Sequence, residues 1–433
     1  MSADGERRVF AACAWRLIPF LVLLYIANYL DRVNAGFAAL TMNADLGFSP
    51  SVFGFGAGVL FVGYLIFQIP ANAILARVGA RRWMSCILIV WGAISAGTAF
   101  IQDAYSFYAL RFLLGVAEAG LFPGMMYYLT LWFPQNYRAR FASGIVCAIP
   151  LSGMIGGPVS GLILGMDGIG GMHGWQWLFI LEGLPASLLG VAALFYLSDG
   201  PQQAKWLDAQ AKAAIAGRLQ SEAGQGEHLI AALRDVRVLV LAVAGLGSGS
   251  ALYATSLWLP QIVKAMGFSN FGTGVVVALI YTATMVMTAV WGYSSDRRGE
   301  RYRHVAFAWF IAAAGFAVAA MARSNAVELI GLVFAVAAIP AAIAPYFMLP
   351  CSFLSGLAVA GAVAVLNSIV SVGGFAGPAL IGLLRERSGS YSSGMAMLAT
   401  ELLIAAAMLL ALERMMRPAR AVLPTEEQVL PQG

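Results

Sequence analysis

Long apolar runs separated by short polar or glycine-bearing breaks repeat along the whole chain. A helix that crosses a bilayer needs about 20 predominantly apolar residues. Twelve stretches of that order stand at 15–38, 51–76, 81–101, 104–129, 138–165, 175–198, 236–265, 272–293, 302–322, 326–349, 357–384 and 391–415. They predict an all-α polytopic membrane protein with twelve spanning helices, numbered here spans 1 to 12. Arg7, Arg8 and Arg16 give the first run the basic start of a signal peptide, but Asn28, Asp31 and Arg32 interrupt it and no small-residue cleavage site follows. It is expected to remain in place as span 1.

The polar breaks differ in charge. Of the 26 Lys and Arg residues, 20 fall in the first break and every second one after it, Lys264, Arg323, Arg385 and Arg387 fall on the opposite side, and Arg32 and Arg111 lie inside spans. By the positive-inside rule both termini and the segment 199–235 are cytoplasmic, which requires an even number of spans. The segment 199–235 is polar, carrying Lys205, Asp208, Lys212, Arg218, Glu222 and Glu227. It divides the chain into a six-helix bundle at 15–198 and a second at 236–415, with a cytoplasmic N-terminal segment at 1–14 and a cytoplasmic tail at 416–433.

Composition narrows the classes. With 60% apolar and 11% charged residues among 433, against roughly 45–50% and 25% in soluble domains, a water-soluble globule is excluded. The 48 Gly and 17 Pro spread through the apolar runs suit spanning helices and exclude collagen and disorder. Cys13, Cys86, Cys147 and Cys351 show no paired spacing, and only His173, His228 and His304 exist, so no metal site, disulfide framework or cofactor is expected. The formal charge of +5 follows the membrane-sided pattern, and no nucleic-acid partner is expected. The chain has no GxSxG, HExxH or phosphate-binding loop, and an enzyme is not expected.

An internal repeat supports two homologous halves. After span 2 comes Asn72-Ala-Ile-Leu-Ala76-Arg77-Val-Gly79-Ala-Arg81-Arg82, and after span 8 comes Gly292-Tyr-Ser-Ser-Asp296-Arg297-Arg-Gly299-Glu-Arg301; Gly79 and Gly299 are 220 residues apart. Span 5 carries Gly153-Met-Ile-Gly-Gly157-Pro158-Val-Ser-Gly161 and span 11 carries Gly373-Gly-Phe-Ala-Gly377-Pro378, with Pro158 and Pro378 again 220 apart. These glycines serve either close helix packing or a hinge, and the sequence leaves both open.

Twelve spans in two halves, with a basic Gly-x-x-x-Asp-Arg-x-Gly-type loop and its copy, resemble the major facilitator superfamily over nearly the whole chain. The first copy departs from the pattern at Asn72 and Ala76, while Asp296 keeps the acid in the second. Within the superfamily, Asn28-Tyr29-Leu-Asp31-Arg32, Arg111-x6-Glu118-Ala-Gly-Leu-Phe-Pro123-Gly, Trp132-Phe-Pro134 and Asn367 look like the anion:cation symporter family. The resemblance implies proton-coupled uptake of organic carboxylates at a bacterial inner membrane, the substrates including sugar acids, tartrate and aromatic acids. It places Tyr29 and Tyr64 at the substrate cavity and makes Arg77, Gly79, Arg81, Asp296 and Arg297 the gating loops.

Ionisable groups in mid-membrane are costly and normally face a cavity or pathway. Asp31 and Arg32 in span 1 and Arg111 and Glu118 in span 4 are such groups. At about 1.5 Å per residue, Arg111 and Glu118 share a face about 10 Å apart and do not simply neutralise each other. Asp31 and Arg111 sit at similar depth, so they are the expected pair. Glu118 lies about two turns deeper, where burial favours a neutral carboxyl, which suits a proton carrier. A purely structural network tying span 1 to span 4 is the competing reading.

Adding 220 to Arg111 and Glu118 gives Gly331 and Ala338, so charge chemistry is expected only in the first half, with Asn367, beside Ser368 and Ser371, as the best polar contribution from the second. The expected substrate-binding set is Arg32, Arg111, Tyr29, Tyr64 and Asn367, with Glu118 and then Asp31 as proton-coupling residues. Glu182 is expected to support the outer end of span 6, and Glu401 has no assigned role. The favoured function is import of a small organic anion with protons by a monomer in the bilayer. A proton-coupled drug or metabolite antiporter is the alternative, because Gly153-x3-Gly157-Pro158-x2-Gly161 resembles a motif of such exporters.

Overall fold

The computed structural model describes residues 3–220, 234–354 and 356–420; Glu222 and Glu227 of the polar segment and residues 421–433 of the expected tail lie outside the described residues. Among the described residues, twelve helices are long and apolar enough to cross a membrane: Gly5–Asp45, Pro50–Leu75, Ala80–Phe100, Ala104–Trp132, Gly144–Met166, Gly174–Tyr196, Val236–Ala265, Asn270–Arg298, Tyr302–Met321, Asn325–Phe347, Gly361–Ser388 and Ser392–Met416. They match the twelve expected spans in order. Span 1 is longer than its apolar run, 41 residues, because nothing in residues 5–14 breaks a helix. Span 4 starts where Asp103 accepts from Ser106 N at 2.8 Å in a reciprocal capping box; these hydrogen bonds hold its carboxyl below the ordinary carboxylate range.

Both described chain ends lie on one face, and the opposite face is called distal here. Across the two halves, span 2 packs on span 11, span 5 on span 8 and span 1 on span 7. On the distal side these contacts bring backbone against backbone. A Cβ on Gly54 would lie 2.4 Å from the Pro378 carbonyl oxygen, one on Gly382 would lie 2.4 Å from that of Pro50, and one on Gly157 would lie 2.4 Å from that of Gly274. In this structure, then, the Gly-Pro motif of span 5 serves close packing. Gly377 plays the same part inside the second half, where a Cβ would lie 2.6 Å from the Ser250 carbonyl oxygen of span 7.

A polar latch fastens the distal contact. The Glu386 carboxylate, near the end of span 11, accepts from Ser49 Oγ at 2.8 Å and from Ser51 N at 3.0 Å. Ser49 is itself the N-cap of span 2, accepting from Val52 N. An acid from one half therefore caps a helix N-terminus of the other, where backbone N–H groups and the helix dipole favour negative charge.

On the face that carries the termini, Gly79 turns the chain between spans 2 and 3 at φ 89°, with its N–H donating to Leu75 O. Arg81 forms an ion pair with Asp199 at 3.2 Å and donates from Nη1 to Leu194 O, while Arg81 N donates to the same carboxylate. The acid missing at Ala76 is thus supplied from the start of the polar segment. Gly299 closes span 8 in the left-handed region at φ 64°, and Arg77, Asp296 and Arg297 are exposed. The polar segment is not simply a spacer. A helix at Ala209–Gln220 buries Ile215 against the first half, Trp206 stacks on Trp132 at 5.5 Å, and the Arg16 guanidinium lies over the Tyr196 and Trp206 rings.

The latch generates an expectation. In a background with the native cysteines replaced, Ser256→Cys is labelled several-fold faster by a membrane-impermeant maleimide applied to the distal face when Glu386→Ala is also present. An unchanged labelling rate counts against Glu386 as a closing contact.

Candidate functional site

Four charged residues and a ring of hydroxyls meet where the halves face each other at mid-membrane depth. Cβ atoms on a helix tilt toward its N-terminus, so the long Arg32 side chain reaches back from its Cα toward the face with the termini. There it meets Glu118, with Nη2 and Nε each 2.7 Å from Oε1. The pair is nearly dry, with side-chain exposures of 15% and 2%. Asn28, one turn before Arg32 on the same helix face, donates to the same Glu118 oxygen. Arg32 also stands over the Phe61, Tyr64 and Tyr253 rings at 5.7–5.9 Å and donates to Tyr253 Oη at 3.3 Å. Such cation–π contacts strengthen when desolvated.

Asp31, one residue earlier and about 100° around the helix, points into the first half. Its carboxylate accepts from Trp91 Nε1 at 2.9 Å, from Asn34 Nδ2 at 3.0 Å and from Ser95 Oγ. Trp91 and Ser95 are one turn apart in span 3, so one face of that helix supplies both donors. Arg111 makes no ion pair within 4 Å and no hydrogen bond among the described residues; its Nε is buried and unpartnered, with the Asp31 and Glu118 carboxylates as its nearest opposite charges.

The expected pairing is therefore corrected. Glu118, not Asp31, takes an arginine, and that arginine is Arg32. Asp31 and Arg111 share a depth at their Cα atoms, but the direction and length of an arginine side chain decide where its guanidinium lies. Gly115, between Arg111 and Glu118, sets the approach of spans 2 and 4: a Cβ there would lie 1.9 Å from the Leu60 carbonyl oxygen.

Arg111 and Arg32 line a small central cavity with Tyr29, Leu60, Phe61, Tyr253, Ser256 and Leu257. A neighbouring small space shares Tyr29 and Ser256 and adds Ile149, Leu252, Thr255, Tyr281, Val336, Ile339 and Pro340. Tyr64 is buried beside Arg32, and the half-buried Asn367 of span 11 comes up against its hydroxyl. The expected substrate-binding residues thus gather around one centre, whereas the residues expected to form the gating loops, Arg77, Gly79, Arg81, Asp296 and Arg297, stand at the face with the termini.

Tyr253, Asn28, Trp91 and Ser95 join the site beyond the residues expected from the sequence. Asn28 carried a usable signal, lying four residues before Arg32. Tyr253, Trp91 and Ser95 carried none that separates them from packing. The second half contributes hydroxyl groups, not charge, as its lack of counterparts to Arg111 and Glu118 implied. Glu401 of span 12 lies beside Ser250 of span 7.

Comparison with known proteins agrees with this architecture. The sequence model of the Major Facilitator Superfamily matches residues 21–378. A putative tartrate transporter of Agrobacterium vitis is 45% identical over 95% of this chain and 92% of its own. A quinolone resistance transporter of Acinetobacter baumannii is 39% identical over 90% of this chain and 92% of its own. Among solved structures, a bacterial homologue of the human lysosomal transporter Spinster, inward-facing and unoccupied, superposes with a TM-score of 0.76 at 17% identity, covering 96% of this chain and 99% of its own.

The donor cluster around Asp31 can be tested directly. Trp91→Phe keeps the ring bulk but removes one donor from a buried carboxylate, and leaving a buried charged acceptor short costs about 1–3 kcal/mol. A lowered unfolding midpoint in detergent is expected; wild-type stability would remove Trp91 from the cluster's energetics.

Proposed function

The chain belongs to the Major Facilitator Superfamily and is a multi-pass membrane transporter, not an enzyme; we propose that it imports an organic carboxylate by proton symport, presenting one central site alternately to each face. The observation that carries this reading is Arg111, a buried guanidinium without an ion pair among the described residues, lining the central cavity. A buried cation lacking a counter-ion is costly, and a substrate carboxylate supplies one through two parallel hydrogen bonds. The relatives named putative tartrate transporter and putative metabolite transport protein NicT, the latter of Pseudomonas putida and 39% identical over 94% of this chain, support an organic acid as cargo. Tyr29, Tyr64 and Asn367 complete the substrate site in this reading.

Arg32 and Glu118 supply the coupling. While Glu118 is ionised it occupies Arg32; a proton on Glu118 removes that charge and releases Arg32 toward the cavity, so that proton and anion favour each other's binding. Asp31 is the second coupling residue, because its three donors already stabilise its charge. Arg77, Gly79, Arg81, Asp296 and Arg297 form the gate on the face with the termini, with Asp199 bracing Arg81. The concentration of Lys and Arg on that face supports cytoplasmic termini in a bacterial inner membrane, and the chain works as a monomer whose partners are the acid, protons and lipid.

The quinolone-resistance relative favours one second reading, a proton-coupled exporter of drugs or metabolites. Buried arginines suit an anionic cargo better than a cationic one.

Two outcomes separate these readings. Arg111→Lys keeps the charge but loses the planar fork; its uptake of labelled acid into proteoliposomes is expected to fall about tenfold or more, as the loss of a charge-assisted pair worth about 1.5–3 kcal/mol implies. Near-normal uptake at wild-type abundance would remove Arg111 from the substrate site. Glu118→Gln is expected to exchange labelled for unlabelled acid yet not to concentrate it, whereas wild-type uptake rises as external pH falls. Accumulation by Glu118→Gln under an inward proton gradient would move coupling elsewhere, and wild-type uptake driven by sodium alone at equal pH would contradict the proton.

A further inference from the structure

Glu182 of span 6 is a buried acid that the transport site does not use. Its Oε1 accepts from Ser160 Oγ of span 5 at 2.8 Å, and its Oε2 is buried without a partner among the described residues. Asn34 of span 1 connects it to the centre, since its amide donates to Asp31 at 3.0 Å and also lies against Glu182. The charged group that acts on Glu182 is Asp31 from span 1, which in turn is acted on by Arg111 from span 4. Span 5 presents only the Ser160 hydroxyl, and span 3 presents Trp91 and Ser95 to Asp31.

Charge counting gives this placement its meaning. The acids Asp31, Glu118 and Glu182 face the bases Arg32 and Arg111, so with every group ionised the cluster carries one unmatched negative charge. An unmatched charge away from water is costly, and one proton removes it. Glu118 has Arg32. Asp31 has three donors and the proximity of Arg111. Glu182 has one hydroxyl and a share of an amide, which makes it the acid best suited to hold that proton.

We propose that Glu182 holds a resident proton of the first half and shares it with Asp31 around Asn34, acting as an internal donor that neutralises Asp31 when Arg111 turns to a bound anion. In that step the proton leaves the Glu182 carboxyl and arrives on Asp31. The Asn34 N–H that donated to Asp31 then donates to the Glu182 carboxylate, and the net charge of the cluster is unchanged. This proton is separate from the transported one, so neutralising Asp31 consumes no proton from bulk water. Glu182 is in this sense a positioning residue, acting on the anion through Asp31 and Arg111. The use of the proton rests on the carboxylate-symport reading, but its residence does not.

Infrared spectroscopy of the full chain in lipid nanodiscs, without substrate, tests the residence. At pH 7 the wild type is expected to show the carbonyl stretch of a protonated carboxyl, reduced by one group's intensity in Glu182→Gln and moved in frequency in Asn34→Leu, which removes the shared amide. A folded Glu182→Gln with undiminished intensity, or a wild type with no such band, overturns the proposal. An unmoved band in Asn34→Leu overturns the sharing. If Glu182→Gln does not fold, dicyclohexylcarbodiimide labelling of the wild type decides, because this reagent adds to protonated carboxyls. An adduct mapped to Glu182 supports the proposal and its absence overturns it. None of these readouts involves transport, so a negative result leaves the symport reading standing, and failed uptake leaves the resident proton standing.

Discussion

Removing charge from water governs this molecule. Even after relaxation each buried ion carries a penalty of several kcal/mol, and a buried pair is neutral or favourable only when its geometry and remaining hydrogen bonds are good. The first half meets that demand unevenly. Glu118 receives a guanidinium and an amide, Asp31 receives an indole, a hydroxyl and an amide, and Arg111 receives nothing closer than the field of two carboxylates. The uneven matching concentrates unsatisfied positive charge at one point of the cavity wall while the rest of the cluster is held by one ion pair and by fixed dipoles. A site that binds an anion needs that asymmetry, and a set of fully matched pairs would have no affinity left for cargo.

The distal closure follows a different rule. Glycines at 54, 157 and 382 let main chains of opposite halves approach until no side chain fits between them, and the Glu386 carboxylate joins the halves beside the Gly54–Gly382 contact by accepting from Ser49 Oγ and Ser51 N. Small residues provide contact area and the carboxylate provides direction. Because the carboxylate and the helix N-terminus it caps belong to different halves, the closed arrangement includes an interaction that opening must break.

Much of this was legible in the sequence because a bilayer imposes few solutions. Twelve apolar runs could only be helices, and the repeat at an offset of 220 pointed to two related halves. The four central charges stood out because each interrupts an apolar run where charge is expensive. The partners were harder to read. Trp91, Ser95 and Tyr253 belong to types that fill helices everywhere, so nothing in the sequence separates a donor to Asp31 or a neighbour of Arg32 from ordinary packing. The Asp31–Arg111 expectation failed because depth along a helix locates backbone atoms, whereas an arginine acts most of its length away from its own backbone and toward the helix start. The acid that braces Arg81 could not be anticipated from the loop pattern, since Asp199 lies more than a hundred residues further along the chain.

The connection between the halves has a mechanical consequence. Trp206 stacks on Trp132, Ile215 is buried in the first half, and Arg16 is held against Trp206 and Tyr196, so the connection as far as Gln220 travels with that half as cargo, not as slack. The tether that sets how far one half strays from the other is therefore shorter than the polar segment itself. Since the entropy of closing a loop grows with the logarithm of its length and effective concentration falls as a tether lengthens, docking this helix raises the concentration that each half presents to the other. In the alternating-access cycle proposed above, bundles that part on one face are thereby kept poised to rejoin, at no cost in contacts on the cavity itself.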